Sequence, residues 1–401
     1  LTITRRLFWE DPYRREFDTV VVESTDYDGR PAVVLEATCF YPTSGGQPHD
    51  LGTLNDIAVC EVLEEGGRLL HIVERPIAQG SMVHGVIDWP RRFDHMQQHS
   101  GQHLLSQAFE RLFDAETVSF HLGEEACTID VTLPELDLDQ VSRVEALVNG
   151  VIFENRPISA REYAEEEIGT LALRKVPTVH GSIRIVEVEG FDRCACGGTH
   201  VRATGEIGLV HIRRWEKRRG QTRVEFLCGG RAQRDYLRLE ALCREAANRL
   251  SVGVGELPEA IERLQEALQQ SGREVQALRK RLLENEVALL ALEAEPIPGG
   301  RLLCRLLAEH DAAAMRYIAQ SLTAQGGMVA LLAVREPSAQ VCFARSADIE
   351  ANMVALFREA AGPYGGRGGG QPHAAQGGGM RAEDLPTVLA RARALLLGER
   401  G

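Results

Sequence analysis

The sequence predicts a multidomain α+β protein, and three observations lead there. The first ninety residues are short β-rich runs broken by Gly and Pro; strands then alternate with helices to about residue 230; and a long strand-poor stretch rich in Leu, Glu, Arg and Gln ends at the breaker cluster Glu295-Pro-Ile-Pro-Gly-Gly300. The expected order is a small N-terminal β-barrel or sandwich (1–90), a two-layer α+β domain with a metal-ligand motif (91–231), a coiled-coil-like helical hairpin linker (232–294) and a C-terminal α/β domain (295–401).

In the first segment, Thr19–Glu23, Ala32–Glu36 and Met82–Asp88 read as strands. Asp94 with Gln97 three residues on reads as a capping box, opening a helix with Leu104, Leu105, Ala108, Phe109 and Leu112 as its apolar stripe. His95, His99 and His103 lie along one row of that helix. Strands are expected at Thr117–His121, Cys127–Val131, Ile183–Val188 and Arg223–Leu227, with a helix from Leu138 to Asn155. In the linker, Gly253 and Gly255 interrupt the helical pattern. The second arm then repeats Ile261, Leu268, Val275, Leu282 and Leu289 at sevens, with Leu264 and Leu278 at the other seam position. Ser271 and Asn285 weaken that seam, which leaves the first arm or a second copy of the chain as its partner. The last hundred residues alternate strands (Met328–Ala333, Val341–Ala344) with helices (Ala312–Ala324, Met353–Ala361, Glu383–Leu397).

Composition excludes several classes. With 401 residues, 44% hydrophobic and 26% charged, the chain reads as globular, and no stretch approaches the ~20 apolar residues of a membrane span. The N-terminus lacks a secretory pattern, and nine cysteines, scattered and odd in number, argue for a reducing compartment, so a cytoplasmic protein is expected. A net charge of −13 disfavours nucleic acid by itself. Between His211 and Arg223, however, Arg213, Arg214, Lys217, Arg218, Arg219 and Arg223 stand against the single acid Glu216, a basic strip on an acidic body.

The chemistry concentrates in two half-motifs, His99-Ser-Gly-Gln-His103 and Cys196-Gly-Gly-Thr-His200. Each puts two donors four residues apart, on one helix face or across one tight turn, and three imidazoles with a thiolate suit zinc rather than calcium or magnesium. Four protein ligands also fit a purely structural ion, since catalytic sites usually keep one position open. A domain of this size folds without a metal staple, and Gly197-Gly198 permits close approach of a ligand, which favours a functional ion. Cys194 competes with Cys196, and His95 is left to a supporting or RNA-facing role. His49, His71, His84, His180, His310 and His373 read as surface or core histidines. Two further signals are Phe40-Tyr-Pro-Thr-Ser-Gly-Gly-Gln47-Pro, a Gly-Gly turn carrying an amide that both donates and accepts, and the Gly-rich run 362–379 containing Arg367, Gly368 and Gly369. The latter lies inside an α/β pattern, where successive free amides and a guanidinium form an anion-binding concavity.

Taken together, these motifs resemble the AlaX family of free-standing alanyl-tRNA editing proteins in their long form, over essentially the whole chain. The Phe40–Pro48 segment looks like the family's glycine loop, His99/His103 and Cys196/His200 like its zinc half-sites, and 362–379 like its C-terminal DHH-associated glycine motif. The resemblance implies that residues 91–231 are the editing domain and that zinc on His99, His103, Cys196 and His200 assists hydrolysis of tRNA(Ala) mischarged with serine or glycine, with Gln47 at the site. With no room for an aminoacylation domain upstream, editing would occur in trans. It also places a polar group for the serine hydroxyl in Thr117–His121, making Ser119 and His121 candidates; rejecting alanine needs such a group, because a bare cavity discriminates weakly. Arg213, Arg214, Lys217, Arg218 and Arg219, with Arg367, Gly368 and Gly369, become RNA contacts, and a homodimer would form through the linker or C-terminal domain. Two other readings stay open: a zinc-stabilised tRNA-binding protein without hydrolysis, and a deacylase of another mischarged tRNA such as seryl-tRNA(Thr).

Overall fold

The computed structural model describes residues 3–175 and 181–399, so His180 lies outside the described residues. The chain divides into two compact units, Leu1–Arg249 and Leu250–Gly401. The division falls inside the 232–294 stretch.

The first unit opens with strand β1 (Arg5–Arg6), a helical turn α1 (Leu7–Glu10), and strands β2 (Glu16–Tyr27), β3 (Arg30–Leu35), β4 (Ala37–Thr38), β5 (Gly52–Leu54), β6 (Ile57–Glu65), β7 (Arg68–Val73) and β8 (Met82–Ile87). The β2-β3-β7-β6-β5-β8 ladder is antiparallel throughout, and pairing of β8 with β2 closes it into a barrel. Period-two patterning fills its interior: Phe17 and Val21 on β2, Val83 and Ile87 on β8, and Val59 and Val62 across a register shift in β6 are all buried. β1 pairs in parallel with β4 and leads α1 over the barrel.

Helix α2 (Trp89–Phe113) starts five residues before the expected capping box. Asp88 is the N-cap, accepting from the Arg91 amide at 3.2 Å, and Pro90 sits in the first turn, where its missing N–H is no loss. Asp94 instead pairs with Arg231 at 2.6 Å. Arg92, fully buried, donates to Asp50, to the Cys39 carbonyl at 2.5 Å and to the Pro12 carbonyl at 2.9 Å, fastening α2 to the barrel.

After α2 come β9 (Thr117–Leu122), β10 (Cys127–Val131), α3 (Leu138–Phe153), β11 (Ile158–Tyr163), the turn α4 (Glu165–Ile168), β12 (Ile183–Val188), β13 (Asp192–Ala195), β14 (Val210–Arg218), β15 (Gln221–Cys228) and α5 (Gly229–Leu250). A four-stranded sheet, β14-β15-β10-β9, packs against α2 and α3, and a three-stranded sheet, β11-β12-β13, adjoins them. The shared core joins Leu104, Leu105 and Phe109 of α2, Val144 and Val148 of α3, and Ile129, Val224 and Phe226 of the sheet. α3 carries a full capping box, Asp137 with Gln140.

The second unit contains α6 (Leu257–Glu293), β16 (Glu295–Ile297), β17 (Gly300–Leu307), α7 (Ala312–Thr323), β18 (Met328–Val334), β19 (Gln340–Arg345), α8 (Met353–Ala361), β20 (Arg367–Gln371), β21 (Ala374–Gly378) and α9 (Leu385–Leu397). Its sheet runs β16-β17-β18-β19-β21-β20. All seven residues of β18 are buried: Val329, Leu331 and Ala333 face α8 and α9, while Ala330, Leu332 and Val334 face α7. Two expectations change here. The Glu295–Gly300 breakers supply strand β16, the Pro298-Gly299 turn and the first residue of β17, an edge hairpin. The Gly-rich run folds into the hairpin β20–β21, so amides expected to be free lie in a strand pair, with β20 at the sheet edge. On α6, Val287 and Leu290 pack on α7, whereas Ile261, Leu264, Leu268, Val275, Leu278, Leu282 and Leu289 are exposed. No described helix is long and apolar enough to cross a membrane.

Candidate metal centre and its pocket

His99 and His103 project from the middle of α2, and Cys196 and His200 from the turn after β13. Their donor atoms all lie within 4.8 Å of one another. The Cys196 Sγ is 3.4 Å from His99 Nε2 and 3.2 Å from His200 Nε2. Zinc bonds of about 2.3 Å to sulfur and 2.0–2.1 Å to nitrogen give a tetrahedron edge of about 3.5 Å, so the spacing suits that ion.

Each imidazole is fixed from behind, through Nδ1. His99 Nδ1 meets Gln47 Oε1 at 2.8 Å, His103 Nδ1 meets Asp192 Oδ2 at 2.9 Å, and His200 Nδ1 meets Ser100 Oγ at 3.1 Å. These contacts aim the three Nε2 lone pairs inward, the arrangement that orients histidine metal ligands. Gln47 is fully buried; it accepts from the Thr199 amide at 3.2 Å and donates to Thr199 Oγ1 at 2.9 Å, joining the glycine loop to the Cys196 turn. Asp192 also accepts from Arg174 Nε at 2.8 Å, so the buried carboxylate has a cation on each side when His103 is protonated.

Two glycines are dictated by contact. A Cβ on Gly198 would stand 2.2 Å from His99 Cε1, and one on Gly46, at φ +81°, would stand 2.7 Å from the Phe120 carbonyl oxygen. Gly198 also donates its amide to Cys196 Sγ at 3.4 Å. Burial opposes ionisation of Cys196, but the imidazoles of His99 and His200 and hydrogen bonds from His103 and His200 outweigh it and hold the thiol well below its usual range. For His103, burial pulls downward and the Asp192 hydrogen bond with the Cys196 charge prevails, lifting it to about 9. Burial takes His200 down to about 3.

The cluster lies at the edge of a pocket of about 300 Å³, lined also by Tyr41, Gln102, Thr117, Ser119, Phe120 and Arg174. Ser119 is therefore at the pocket, with its hydroxyl donated to Asp130 at 2.6 Å. His121 is exposed and is not a lining residue, although it shares a face of β9 with Ser119: the pocket ends at Phe120; Gln47 sits behind His99 rather than on the wall. Gln102 Nε2 and Thr117 Oγ1 both donate to Ser106 Oγ, at 2.7 and 2.6 Å. Cys194 lines the pocket with its thiol raised to about 11 by burial. His95 is buried with Nδ1 unpartnered, so it does not face outward to RNA.

The basic strip forms the β14–β15 hairpin, and most of its charges are answered locally. Arg213 and Arg214 meet Glu225 at 3.6 and 2.7 Å, Lys217 meets Glu135 at 2.5 Å, and Arg218 meets Glu216 at 2.5 Å. Arg219 has no partner among the described residues. Trp215 donates to the Leu136 carbonyl at 2.7 Å and packs on the core. Arg367 is exposed on the edge strand β20, followed by Gly368 and Gly369, within the second unit. Sequence reasoning missed Asp192, Arg174, Ser100, Gln102 and Thr117. Only Asp192, an acid four residues before a ligand cysteine, carried a signal in the sequence.

Family models match three stretches: "tRNA synthetases class II (A)" over 15–91, "Threonyl and Alanyl tRNA synthetase second additional domain" over 183–225, which contains Cys196 and His200, and "DHHA1 domain" over 299–397. The alanyl-tRNA editing protein Aarsd1 of Rattus norvegicus is 37% identical over 274 residues, 64% of this chain and 66% of its own length. The chain thus spans just under two thirds of that relative. The alanyl-tRNA editing protein AlaX-L of Pyrococcus horikoshii is 34% identical over 293 residues, 70% of each protein. The alanine–tRNA ligase of Pyrococcus furiosus is 35% identical over 309 residues, 73% of this chain and 33% of the ligase. At 34% identity over 70% of each protein to AlaX-L, the chain belongs to the AlaX-type family of alanyl-tRNA editing proteins.

Proposed function

We propose that the chain is a trans-editing hydrolase that cleaves the ester of mischarged tRNA(Ala), carrying serine or glycine, with a zinc ion on His99, His103, Cys196 and His200. The observation that carries this reading is the convergence of those four donors at the edge of a pocket of about 300 Å³, ample for a small amino acid and its ester. Bound zinc would supply Lewis acidity toward the ester or its attacking water. The remaining work falls to the chain's own groups. Gln47, Asp192 and Ser100 keep the rings oriented, and the Gly197-Gly198 backbone leaves room beside them. Gln102 and Thr117 join Ser119 as hydrogen-bonding groups for a serine hydroxyl, since Gln102 Oε1 has no partner among the described residues. Arg219 and Arg367, unpaired among the described residues, are the strongest of the RNA-backbone candidates. The exposed stripe of α6 would take a second copy of the chain.

One observation favours a second reading, a tRNA-binding protein with a structural ion: four protein donors saturate a tetrahedron. Purified protein is incubated with seryl-tRNA(Ala), glycyl-tRNA(Ala), alanyl-tRNA(Ala) and seryl-tRNA(Thr), with His103→Ala as control. Loss of ester from the first two alone, abolished by His103→Ala, supports editing. Equal rates for wild type and control eliminate it.

A further inference from the structure

The Cys196–Gly198 turn has a second face. Behind it lies a pocket of about 350 Å³ lined by Arg6, Trp9, Arg161 and Arg184, with Glu10 and Glu162 at its margin. Trp9 and Arg184 grip the turn itself: Trp9 Nε1 donates to the Gly197 carbonyl at 2.8 Å, and Arg184 Nη1 to the carbonyls of Cys196 and Gly198 at 2.8 and 2.9 Å. One turn of backbone thus separates this pocket from the metal pocket.

The charges here are not all answered. Glu10 is held bidentately by Arg5 at 2.6 and 2.8 Å, Glu162 accepts from Ser182 Oγ at 3.1 Å, and Arg6 reaches Glu64 at 2.5 Å. Arg161 has no partner among the described residues, and Arg184 commits a single nitrogen of its guanidinium. The Arg6 guanidinium lies over the Trp9 ring at 4.5 Å from its centroid, so a cation–aromatic wall stands beside Arg161 and the uncommitted nitrogens of Arg184. Flat π-surfaces with unpaired arginines are what a single-stranded nucleotide requires, the base on the wall and the phosphate on the cations.

We propose that this pocket is a subsite for the nucleotide preceding the terminal adenosine of the substrate RNA, holding its phosphate on Arg161 and Arg184. The subsite rests on the editing reading for the identity of its RNA. When the subsite is filled, the strand presses on the same three-residue turn that carries Cys196, which ties RNA engagement to the position of a metal ligand.

The test has a binding arm and a hydrolysis arm. In the first, labelled trinucleotide CCA is titrated against wild type and Arg161→Ala, an exposed position whose truncation leaves the core untouched. The variant binds about tenfold more weakly, the equivalent of one lost charge-assisted hydrogen bond, and its log–log salt slope is shallower by about 0.7. Equal affinity and slope overturn the subsite, whatever the hydrolysis result. In the second, serine esterified to a lone adenosine is compared with a seryl minihelix ending in CCA. Arg161→Ala raises KM for the minihelix and leaves the adenosine ester unchanged within twofold; equal losses on both assign Arg161 to support of the turn and overturn the proposal. Should wild type cleave neither ester, the editing reading falls while the binding arm still decides the pocket.

Discussion

Asp192→Asn isolates the carboxylate that stands between His103 and Arg174. The change is nearly isosteric, and the side chain is fully buried. Asp192 accepts from His103 Nδ1 at 2.9 Å and from Arg174 Nε at 2.8 Å. Asparagine offers a single carbonyl oxygen, so one donor meets an NH2 instead of an acceptor, a loss of about 1.5–3 kcal/mol. Arg174, 7% exposed, is left buried without its countercharge, which sets the expected fall in folding stability at about 3–5 kcal/mol. Loss of an orienting carboxylate typically weakens metal binding by about 10–100-fold, or about 1.4–2.7 kcal/mol. Zinc affinity is read by competition with a chromophoric chelator, and stability by urea unfolding of the zinc-free protein. A variant that loses stability as expected but binds zinc within threefold of wild type would show that Asp192 does not orient His103, and the account of the centre given above would be wrong.

Gly198→Ala sets a Cβ against His99 and should lower zinc affinity at least about tenfold with an unchanged circular dichroism spectrum, because the ring must turn away. Arg92→Met leaves the buried Asp50 carboxylate with the Tyr41 amide as its one remaining donor among the described residues, and urea unfolding should register a loss of about 3–5 kcal/mol. The hydrogen bond from Arg223, aided by that from Ser119, holds the Asp130 carboxyl down at about 2. Its folded value lies below its unfolded one, so the stability it contributes is present above about pH 4 and is lost as pH falls through about 2; Asp130→Asn should flatten that acid limb of the unfolding curve.

What the sequence disclosed was set by spacing. His99/His103 and Cys196/His200 were legible because metal chemistry demands particular donors at short intervals, and α3, α8 and β10 because apolar periodicity is strong over their lengths. Asp192, Ser100 and Gln102 were not, since their roles depend on which neighbours the tertiary fold delivers. The start of α2 was misread because Asp94 and Asp88 both fit a cap, and only Pro90 tips the balance. The Gly-rich tail misled for a different reason: glycine run composition suggests loose backbone, whereas β20 and β21 pack so closely that a Cβ on Gly368 would stand 2.1 Å from the Gln376 carbonyl oxygen. The charge strip could be counted from sequence, but its neutralisation by Glu135 and Glu225 could not.

The scattering of the donors along the chain has a bearing on biosynthesis. His99 and His103 leave the ribosome well before Cys196 and His200, and Gln47 earlier still, so a nascent chain holds half of a cation trap until synthesis has passed His200. In the zinc reading proposed above, ion capture would add its free energy only to the closed arrangement, so loading would act as a completeness signal: barrel, helix and late turn would all have to meet before the protein resisted chelators.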